Sequence, residues 1–572
     1  MSIIKKLPIG IAAFETLRQG NYIYADKTEI LYRLLEDMTP YFLSRPRRFG
    51  KSSLVSTLRA ILTGRRELFE GLWIHDCSNY DWAPNPVIHL SLNSITTDSV
   101  ATVQSDLLAN LKDIAKKEKL EPNGETPAAF FGSLIRDLHD KYGQNVAVLI
   151  DEYDAPILAR LSETGLANEI RKALGTFYGV LKSAEEHRGF TFITGVTRFA
   201  KASIFSALNN LKDLTLDPEY AAICGFTLDE FDSLFADRLP QTLARTKSMG
   251  IINNEATEAD LRNRILDWYN GYTWDGRTRI LNPWSVLYFF NNSFFSEYWY
   301  ESGGTSFLAS LIKERQIDLA SFNSNDFLTD GLNTIDVGAG YSSKALLLQA
   351  GYLTVDRVSI TGGGKKFFLR FPNLEIQAAM ARLWLFLEES LADPLLMKIQ
   401  AQAMVAALIQ RQADEFQMAF QSFLENIPWE DYLKSEAYFE TLFLMAMIMA
   451  GQDCDCQKSV GSGKMDVHLR ARDGNDYVVE LKFVKAAVKV KGKEKDLTGE
   501  QIQKNMEKAL TAAMVQIEKN KYTLKFQGRG NKIYKAALAV SGNLDVRLVL
   551  EEAANWTLVK KAGQPHFSVK RV

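Results

Sequence analysis

Four short, largely apolar runs in the first 200 residues constrain the fold more than any other feature of the sequence. The runs are PYFLS (40–44), VIHLSL (87–92), VAVLI (146–150) and FTFIT (190–194). A strand that is apolar on both faces must be covered on both faces, which is typical of a parallel sheet between layers of helices. Helical patterns separate the four runs. The sequence therefore predicts an α/β fold for this part of the chain.

The first run leads into SRPRRFGKSSL (44–54), which contains the Gly-Lys-Ser of a phosphate-binding loop. Gly50, Lys51 and Ser52 could supply a close backbone approach, a cation for the β/γ-phosphates and a hydroxyl for Mg²⁺. The glycine expected five residues before Gly50 is Arg45, and a lone tripeptide of this kind is more often coincidence than a phosphate site. An amphipathic helix is predicted after the tripeptide, which provides the strand–loop–helix context that a phosphate loop requires.

Two adjacent acids end the third apolar run. In VAVLIDEYDAP (146–156), Asp151 and Glu152 follow the strand directly. In ATPases with an additional strand beside the phosphate loop, the first acid holds Mg²⁺ through water and the second polarises the attacking water. The alternative is a solvated strand end with helix-capping acids. The order of loop and acids favours the catalytic interpretation.

The fourth run continues as FTFITGVTRFAKAS, which places Thr194, Thr197 and Arg198 after a buried strand. A threonine here could orient the water or contact the γ-phosphate, and the arginine could stabilise the transferring phosphate in cis or across a subunit boundary. A capping threonine and a surface arginine are equally compatible with the pattern. The nucleotide-contacting residues that we predict are Arg47, Arg48, Gly50, Lys51, Ser52, Ser53, Asp151, Thr197 and Arg198, with Ser52 and Asp151 as Mg²⁺ ligands.

A second set of candidate catalytic residues lies near the C-terminus, in GKMDVHLRARDGNDYVVELKF. Side chains alternate along a strand, so Glu480 and Lys482 share one face. Asp466 joins that face if it pairs with Glu480, which requires a three-residue loop, 472–474, with Gly474 in the left-handed conformation. We predict this bulged turn, because a two-residue Asp-Gly turn would turn Asp466 to the other face.

Two carboxylates and a lysine on one face suit Mg²⁺-assisted phosphodiester hydrolysis, since the acids are hard oxygen ligands and the lysine can orient water and offset negative charge. By spacing alone, an amphipathic hairpin with a solvated face is favoured. Glu440, which interrupts the apolar helix EAYFETLFLMAMIMAG, and Gln516, on a helix that would cover the sheet, favour a site instead. Eight lysines from Lys482 to Lys508 suit contacts to a nucleic-acid backbone, although a solvated loop fits them equally well.

Several segments of the chain resemble a known family. LPIGIAAFETLRQGNYIYADKTEILYRLL, SRPRRFGKSSL, LIDEYDAPI, TGVTRFAKAS, WYNGY and NPWSV are similar to the AAA-ATPase-like family over residues 1–290, and R-P-R-R-x-G-K-S is the usual loop of that family. The resemblance implies binding of ATP with Mg²⁺ and does not establish turnover. Whether Arg45, Arg47 and Arg48 contact the nucleotide, a neighbouring subunit or a nuclease substrate stays open.

Residues 435–550 resemble the PD-(D/E)-x-K nuclease superfamily, whose domain commonly follows this ATPase domain. Matched position by position, Asp466, Glu480 and Lys482 correspond to the core motif, with Met465 in place of the proline at a variable position. The resemblance implies Mg²⁺-dependent cleavage, with Asp466 and Glu480 as metal ligands. The resemblance also matches Glu440 to the acid of the superfamily's first helix and Gln516 to its motif glutamine. The catalytic residues that we predict in the whole chain are Glu152, Glu440, Asp466, Glu480, Lys482 and Gln516.

These patterns predict an α/β protein of four parts. We expect a P-loop AAA-like ATPase domain with a parallel sheet over 1–235, and a mainly helical lid with a possible winged helix over 236–375. A helical connector over 376–434 leads to a restriction-endonuclease-like α/β domain over 435–572. The winged helix is suggested by the helix ALLLQAG, followed by the strands YLTVDRVSI and FFLRF around a glycine turn.

Composition narrows the function only slightly. A net charge of -2 gives no global electrostatic reason to bind nucleic acid or membrane, and four cysteines in 572 residues do not form a disulfide framework. We therefore expect a cytoplasmic protein with no membrane partner. The leading hypothesis is an ATP-dependent nuclease acting on nucleic acid, with DNA as the first candidate and a homo-oligomer left open. The alternatives are a nucleotide-dependent switch or scaffold that binds without cutting, and an ATPase that remodels proteins.

Overall fold

The chain forms two compact units. The first comprises Met1–Ile317 with Phe327–Glu375, and the second comprises Asp318–Asp326 with Ile376–Val572. The four-part division expected from the sequence stays a prediction. The computed structural model describes residues 4–37, 39–76, 79–199, 211–252, 254–302, 327–328, 343–361, 364–387, 394–427, 436–460, 463–471, 473–490, 493–527, 531–553, 556–560 and 567–571.

The four apolar runs are neighbouring strands of one parallel sheet, as predicted. Its strands are β1 (Pro40–Ser44), β2 (Val87–Ser91), β3 (Val146–Asp151), β4 (Arg188–Gly195) and β5 (Lys212–Asp213), in the order β2-β3-β4-β1-β5. β4 lies between β1, which precedes the phosphate loop, and β3, which ends in the two acids. The register pairs Leu43 with Thr194 and Ile150 with Ile193. The carboxyl ends of the three strands therefore meet at one edge, where ligands bind in open α/β sheets.

Helices with well-defined ends surround this sheet. Thr126 caps one helix that starts with Pro127 and ends before Gly143, which adopts the left-handed conformation. A capping box at Ser99 begins another. The helices of this part are α1 (Phe14–Gln19), α2 (Thr28–Asp37), α3 (Lys51–Leu62), α4 (Val100–Lys117), α5 (Pro127–Tyr142), α6 (Ala155–Leu158) and α7 (Thr164–Ser183).

An aromatic helical region follows in the same unit. Thr227 and Thr257 start two of its helices with capping boxes. Phe231, Phe235 and Phe290 lie in the core of this region, and the rings of Phe235 and Phe290 stack with their centroids 4.6 Å apart. Its helices are α8 (Leu228–Phe235), α9 (Leu239–Ser248), α10 (Glu258–Tyr269), α11 (Pro283–Asn292) and α12 (Tyr298–Ser302).

The predicted helix and hairpin are both present at the end of the first unit. They are α13 (Ser343–Ala350), β7 (Thr354–Thr361) and β8 (Gly364–Arg370), and β6 (Phe327–Leu328) adds a third antiparallel strand beside β8. Ala345 to Leu348 of α13 are all buried. A helix that is covered in this way does not offer the exposed face that a DNA-recognition helix needs.

The second unit is a mixed sheet with helices on both faces. Along β11 (Asp476–Val484), Val479 and Leu481 pack in the cluster that includes α17 (Glu436–Met449), whereas Val478 and Val484 pack with α18 (Gly499–Lys519). The main strands are β9 (Asp453–Val460), β10 (Gly463–Arg470), β11 (Asp476–Val484), β14 (Ile533–Ser541) and β15 (Val546–Glu552), in the order β15-β14-β11-β10-β9, with β11 and β14 parallel. Two hairpins are β12 (Ala487–Val490) with β13 (Lys493–Asp496) and β16 (Trp556–Lys560) with β17 (Phe567–Arg571). The helices are α14 (Leu374–Leu387), which begins in the first unit, α15 (Pro394–Gln410), α16 (Ala413–Glu425), α17 (Glu436–Met449) and α18 (Gly499–Lys519). Among the described residues, no helix has the length and apolar character needed to cross a membrane.

Candidate active sites

The phosphate loop connects β1 to α3 with two residues in the left-handed backbone conformation. These are Arg48, with φ of 64°, and Gly50, with φ of 94°. Such conformations let successive N–H groups converge on an anion. Gly50 is the N-cap of α3, and because glycine has no side chain, no capping group competes for the first N–H groups of the helix. The start of α3 therefore fits a phosphate group.

Arg45, which replaces the expected glycine, is a buried structural residue. Its side chain is fully covered and donates to the carbonyls of Ser44 and Thr215 at 2.9 Å each and of Tyr220 at 3.2 Å. The guanidinium also lies over the Trp274 ring, 4.0 Å from its centroid. Burial lowers the pKa of Arg45 to about 10. Arg45 thus anchors the start of the loop in the core and does not line the cavity described below.

Lys51 is buried and turned onto its own loop. Its ammonium donates to the carbonyls of Arg45 and Pro46, both at 2.9 Å. Burial lowers the pKa of Lys51, and the nearby charges of Asp151 and Glu152 act in the opposite direction. A buried ammonium beside two acids and a helix N-terminus fits a site for the phosphates of a nucleotide with its Mg²⁺.

Asp151 is the last residue of β3, and Glu152 follows it directly. Asp151 is 4% exposed, and its Oδ1 is buried without a hydrogen-bond partner among the described residues; the same holds for Thr194 Oγ1, at the end of β4. Glu152 has a left-handed backbone, with φ of 54°, and burial raises its pKa. Strained conformations of this kind concentrate at active sites.

A cavity of about 350 Å³ opens over the phosphate loop. Its wall includes seven of the predicted site residues, and an apolar side comes from the N-terminal segment and from α11. The predicted residues in the wall are Arg47, Arg48, Gly50, Lys51, Ser52, Ser53 and Glu152. The apolar lining residues include Ile11, Ala12, Leu17, Ile23 and Leu287, together with Phe226, which precedes α8. A cavity with one polar end and one apolar end suits a nucleotide, because the phosphates are charged and the faces of the base are apolar.

Thr197 and Arg198 are not part of this wall. The hydroxyl and the backbone N–H of Thr197 both donate to the buried carboxylate of Asp154 at 2.6 Å. Arg198 forms an ion pair of 2.8 Å with Asp213, and its N–H donates to Gln349 Oε1 at 2.9 Å. The structure therefore places both residues in a network that ties the end of β4 to its surroundings. Asp154, which sequence reasoning missed, lies three residues after the end of β3 in LIDEYDAP.

The C-terminal acids meet as predicted. In the antiparallel register of β10 and β11, Val467 pairs with Val479. Asp466 and Glu480 are the next residues along the two strands on the same side of this pair. The turn is the predicted three-residue loop, because Ala471 N–H donates to the Asn475 carbonyl and Gly474 has φ of 80°.

Lys482 joins these acids on one side of the sheet. Its Nζ lies 2.9 Å from Glu480 Oε1 and 4.0 Å from Asp466 Oδ2. Asp466 Oδ2 also accepts a hydrogen bond from the backbone N–H of Leu481 at 2.8 Å. This bond holds the Asp466 carboxylate beside β11. The three residues of the predicted D…E-x-K motif are thus one contiguous group.

A residue that sequence reasoning missed completes the group. Glu436, at the start of α17, accepts from Lys482 Nζ at 3.1 Å and from the N–H of Phe483 at 3.2 Å. Carboxylate oxygens of Glu436, Glu440 and Asp466 lie within 4.8 Å of one another. Glu436 precedes Glu440 by one helical turn, and this spacing is the signal that could have revealed it.

Burial sets the electrostatics of the group. Glu480 is fully covered, and burial, followed by the charge of Asp466, raises its pKa to about 8. Burial also raises the pKa of Asp466. For Lys482, burial alone would lower the pKa, but the hydrogen bond and charge of Glu480 raise it overall. Glu480 Oε2 is buried without a partner among the described residues. A buried carboxylate oxygen that accepts no hydrogen bond, beside the carboxylate of Asp466, fits a divalent cation as its partner.

Gln516 lies on α18, the helix that covers the face of β11 carrying Val478 and Val484. Its side chain is half-buried, and the hydrogen bonds of the described residues include none from it to the acids. The lysine-rich segment contains the β12–β13 hairpin, in which Lys495 is exposed.

In comparisons with known proteins, the parts of the chain that carry the two candidate sites match two different families. Residues 8–205 match the family described as "Predicted AAA-ATPase", and residues 434–549 match the PD-(D/E)XK nuclease superfamily. A protein of Azotobacter chroococcum mcd 1, described as "Uncharacterized protein in vnfD 5'region", is 34% identical over 487 residues, which cover 84% of this chain and 90% of that protein. Families of these two types generally use a nucleotide and a divalent metal. The chain belongs to the family of predicted AAA-ATPases that carry a C-terminal PD-(D/E)XK nuclease superfamily domain.

Proposed function

We propose that the first unit binds and hydrolyses ATP and that the second unit cleaves phosphodiester bonds in nucleic acid with Mg²⁺. One observation carries the proposal. Each site keeps a buried carboxylate oxygen without a protein partner among the described residues, Asp151 Oδ1 in one and Glu480 Oε2 in the other. Buried polar atoms nearly always have a hydrogen-bond partner, so a buried carboxylate oxygen without a protein partner fits a bound metal ion or water.

In the nucleotide site, the N–H groups around Gly50 and the start of α3 hold the β- and γ-phosphates. Lys51 leaves the two loop carbonyls and donates to these phosphates instead. Ser52 and Asp151 hold Mg²⁺, which offsets the negative charge that develops on the transferring phosphoryl group. Glu152, whose raised pKa favours proton uptake, orients the attacking water. The apolar wall near Ile11 receives the base.

In the nuclease site, Asp466 and Glu480 are the metal ligands, with Glu440 close enough to share the cation. A Mg²⁺ ion held by these carboxylates would polarise the phosphate as a Lewis acid and would favour deprotonation of water. Lys482 donates to the phosphate or the water, and Glu436 holds its ammonium in place. Gln516 remains a proposed contact on the covering helix.

Nucleic acid, with DNA as the first candidate, is the proposed partner of the second unit. The overall charge of the chain is close to neutral, so the attraction has to be local. The lysine-rich segment that follows Lys482 supplies it through contacts to the phosphate backbone, which carry no sequence preference. We further propose that the nucleotide state of the first unit controls the cleavage.

The test is a cleavage assay with Mg²⁺, on single- and double-stranded DNA and RNA, with and without ATP. The variants are Lys51→Ala and Asp466→Asn, and Asp414→Asn, an exposed acid of the same unit outside the lysine-rich segment, is the matched control. We expect Asp466→Asn to abolish cleavage, Lys51→Ala to remove its dependence on ATP, and the control to behave as wild type.

Other outcomes separate the alternatives. Nucleotide-dependent binding of nucleic acid without any cleavage would support the switch or scaffold that binds without cutting. Cleavage that survives Asp466→Asn would contradict the assignment of the nuclease site. A protein that neither binds nor hydrolyses ATP would contradict the assignment of the first site.

A further inference from the structure

A loop that offers its N–H groups to phosphate must have its carbonyls held on the other side, because each trans peptide carries the two groups on opposite edges. Three successive carbonyls of the phosphate loop have such partners. Lys51 Nζ donates to the first two, at 2.9 Å each. The indole N–H of Trp299 donates to the third, the carbonyl of Arg47, at 2.8 Å. That carbonyl shares a peptide with the N–H of Arg48, so the indole bond turns the Arg48 N–H away from Trp299.

The two partners respond differently to a bound nucleotide. In the proposed function, Lys51 exchanges its bonds to the loop for bonds to phosphate oxygens. Trp299 is 2% exposed and does not line the cavity, so its bond to the loop need not change. The hydrogen bond from Trp299 can therefore keep the N–H groups of the loop directed toward phosphate when Lys51 no longer contacts the loop carbonyls.

Trp299 is itself fixed from two directions. Its backbone N–H donates to Glu375 Oε1 at 2.7 Å, and the same carboxyl group is held by the hydroxyl of Ser285 at 2.7 Å. The Trp299 ring packs edge-on against Tyr352, with the centroids 5.1 Å apart. A Cβ atom at Gly351 would lie 2.7 Å from Pro46 and 3.3 Å from this ring. The turn after α13 thus closes tightly on both the loop and the tryptophan.

We propose that Trp299 is a positioning residue of the nucleotide site, which orients the Arg48 peptide toward the phosphates and is held in place by Glu375. This inference rests on the proposed binding of ATP. It gives α12, which carries Trp299, a role in binding ATP. Through Trp299, the phosphate loop is connected by hydrogen bonds to Glu375 in the first turn of α14.

The test compares the affinity for ATP and for AMP, each with Mg²⁺, in purified full-length protein by calorimetry. Trp299→Phe keeps an aromatic ring and removes the N–H that orients the loop. We expect its affinity for ATP to fall about tenfold, because a buried carbonyl loses its donor and the loop its orientation. AMP lacks the β- and γ-phosphates that the loop contacts, so its affinity should stay within a factor of about two.

Trp268→Phe is the matched control, because Trp268 is a buried tryptophan of the same unit whose indole N–H has no partner among the described residues. Its affinities for both nucleotides should equal those of wild type. Glu375→Gln retains an acceptor for the Trp299 N–H and should bind ATP normally, whereas Glu375→Leu should lose affinity for ATP as Trp299→Phe does.

The outcomes keep this inference separate from the proposed function. If wild type binds ATP and Trp299→Phe binds it equally well, the positioning role is wrong and the ATP site stands. An equal loss of ATP and AMP binding would mean that the substitution damages the fold and would also overturn the role. If wild type does not bind ATP, both proposals fall.

Discussion

Glu375 offers a quantitative test of the structure, because it is a fully buried acid. It accepts hydrogen bonds from the Ser285 hydroxyl and the Trp299 N–H. Burial raises its pKa from 4.5 to about 8, and the bonds from Trp299 and Ser285 act in the opposite direction. Burial therefore favours the protonated form of this carboxyl group at neutral pH.

The sign of the pH dependence follows from this shift. Between pH 4.5 and about 8, the folded state holds a proton on Glu375 that the unfolded state has released, so raising the pH favours unfolding. The contribution is fully present below pH 4.5 and is lost as the pH approaches 8. At about 1.36 kcal/mol for each pKa unit, the free energy of unfolding should fall by up to about 5 kcal/mol across this range.

The assay is denaturant unfolding of wild type and Glu375→Gln at several pH values from 5 to 9. The amide accepts the same hydrogen bonds and does not ionise, so the wild-type stability minus that of Glu375→Gln should decrease with pH. Glu258→Gln, which changes an exposed acid of the same unit, should leave the pH dependence of wild type unchanged. An equal pH dependence in wild type and Glu375→Gln would refute the reasoning.

Two further predictions concern the loop and the nuclease group. Arg45→Lys should lower the free energy of unfolding by about 2–4 kcal/mol, because an ammonium does not reach the three carbonyls that the guanidinium fork holds. Denaturant unfolding measures this change, and Arg45→Lys with wild-type stability would show that the anchoring role is wrong. Glu436→Gln should slow cleavage by about 10- to 100-fold, the usual effect of losing a partner that orients a metal-site residue. Its cleavage rate is compared with that of Asp414→Asn, and equal rates would show that Lys482 needs no support from Glu436.

Local patterns in the sequence predicted much of this architecture. The apolar runs gave the parallel strands, because burial on both faces depends on residue type alone. The three-residue turn before Asn475 was predicted from the alternation of side chains, and it brings Asp466 to Glu480 and Lys482 as expected. These inferences need only neighbouring residues and the geometry of a strand or turn.

The roles of single polar residues depended on contacts between distant parts of the chain. Arg45 lies inside a phosphate-loop motif, yet its guanidinium bonds to Thr215 and Tyr220, about 170 residues away. Thr197 was predicted to contact nucleotide, but its hydroxyl is bonded to the buried Asp154. No periodicity encodes such pairs.

The sequence by itself therefore determined the parallel sheet, the family and the elements on which the candidate acids lie. The sheet and these elements follow from hydrophobic periodicity, which acts over a few residues, whereas the family follows from the resemblance of short motifs. Only the tertiary structure decided that Glu436 meets Lys482 and that Trp299 holds the carbonyl of Arg47, across 252 residues of sequence. Hydrogen bonds of this kind form only after the chain has packed, because folding brings their donors and acceptors together.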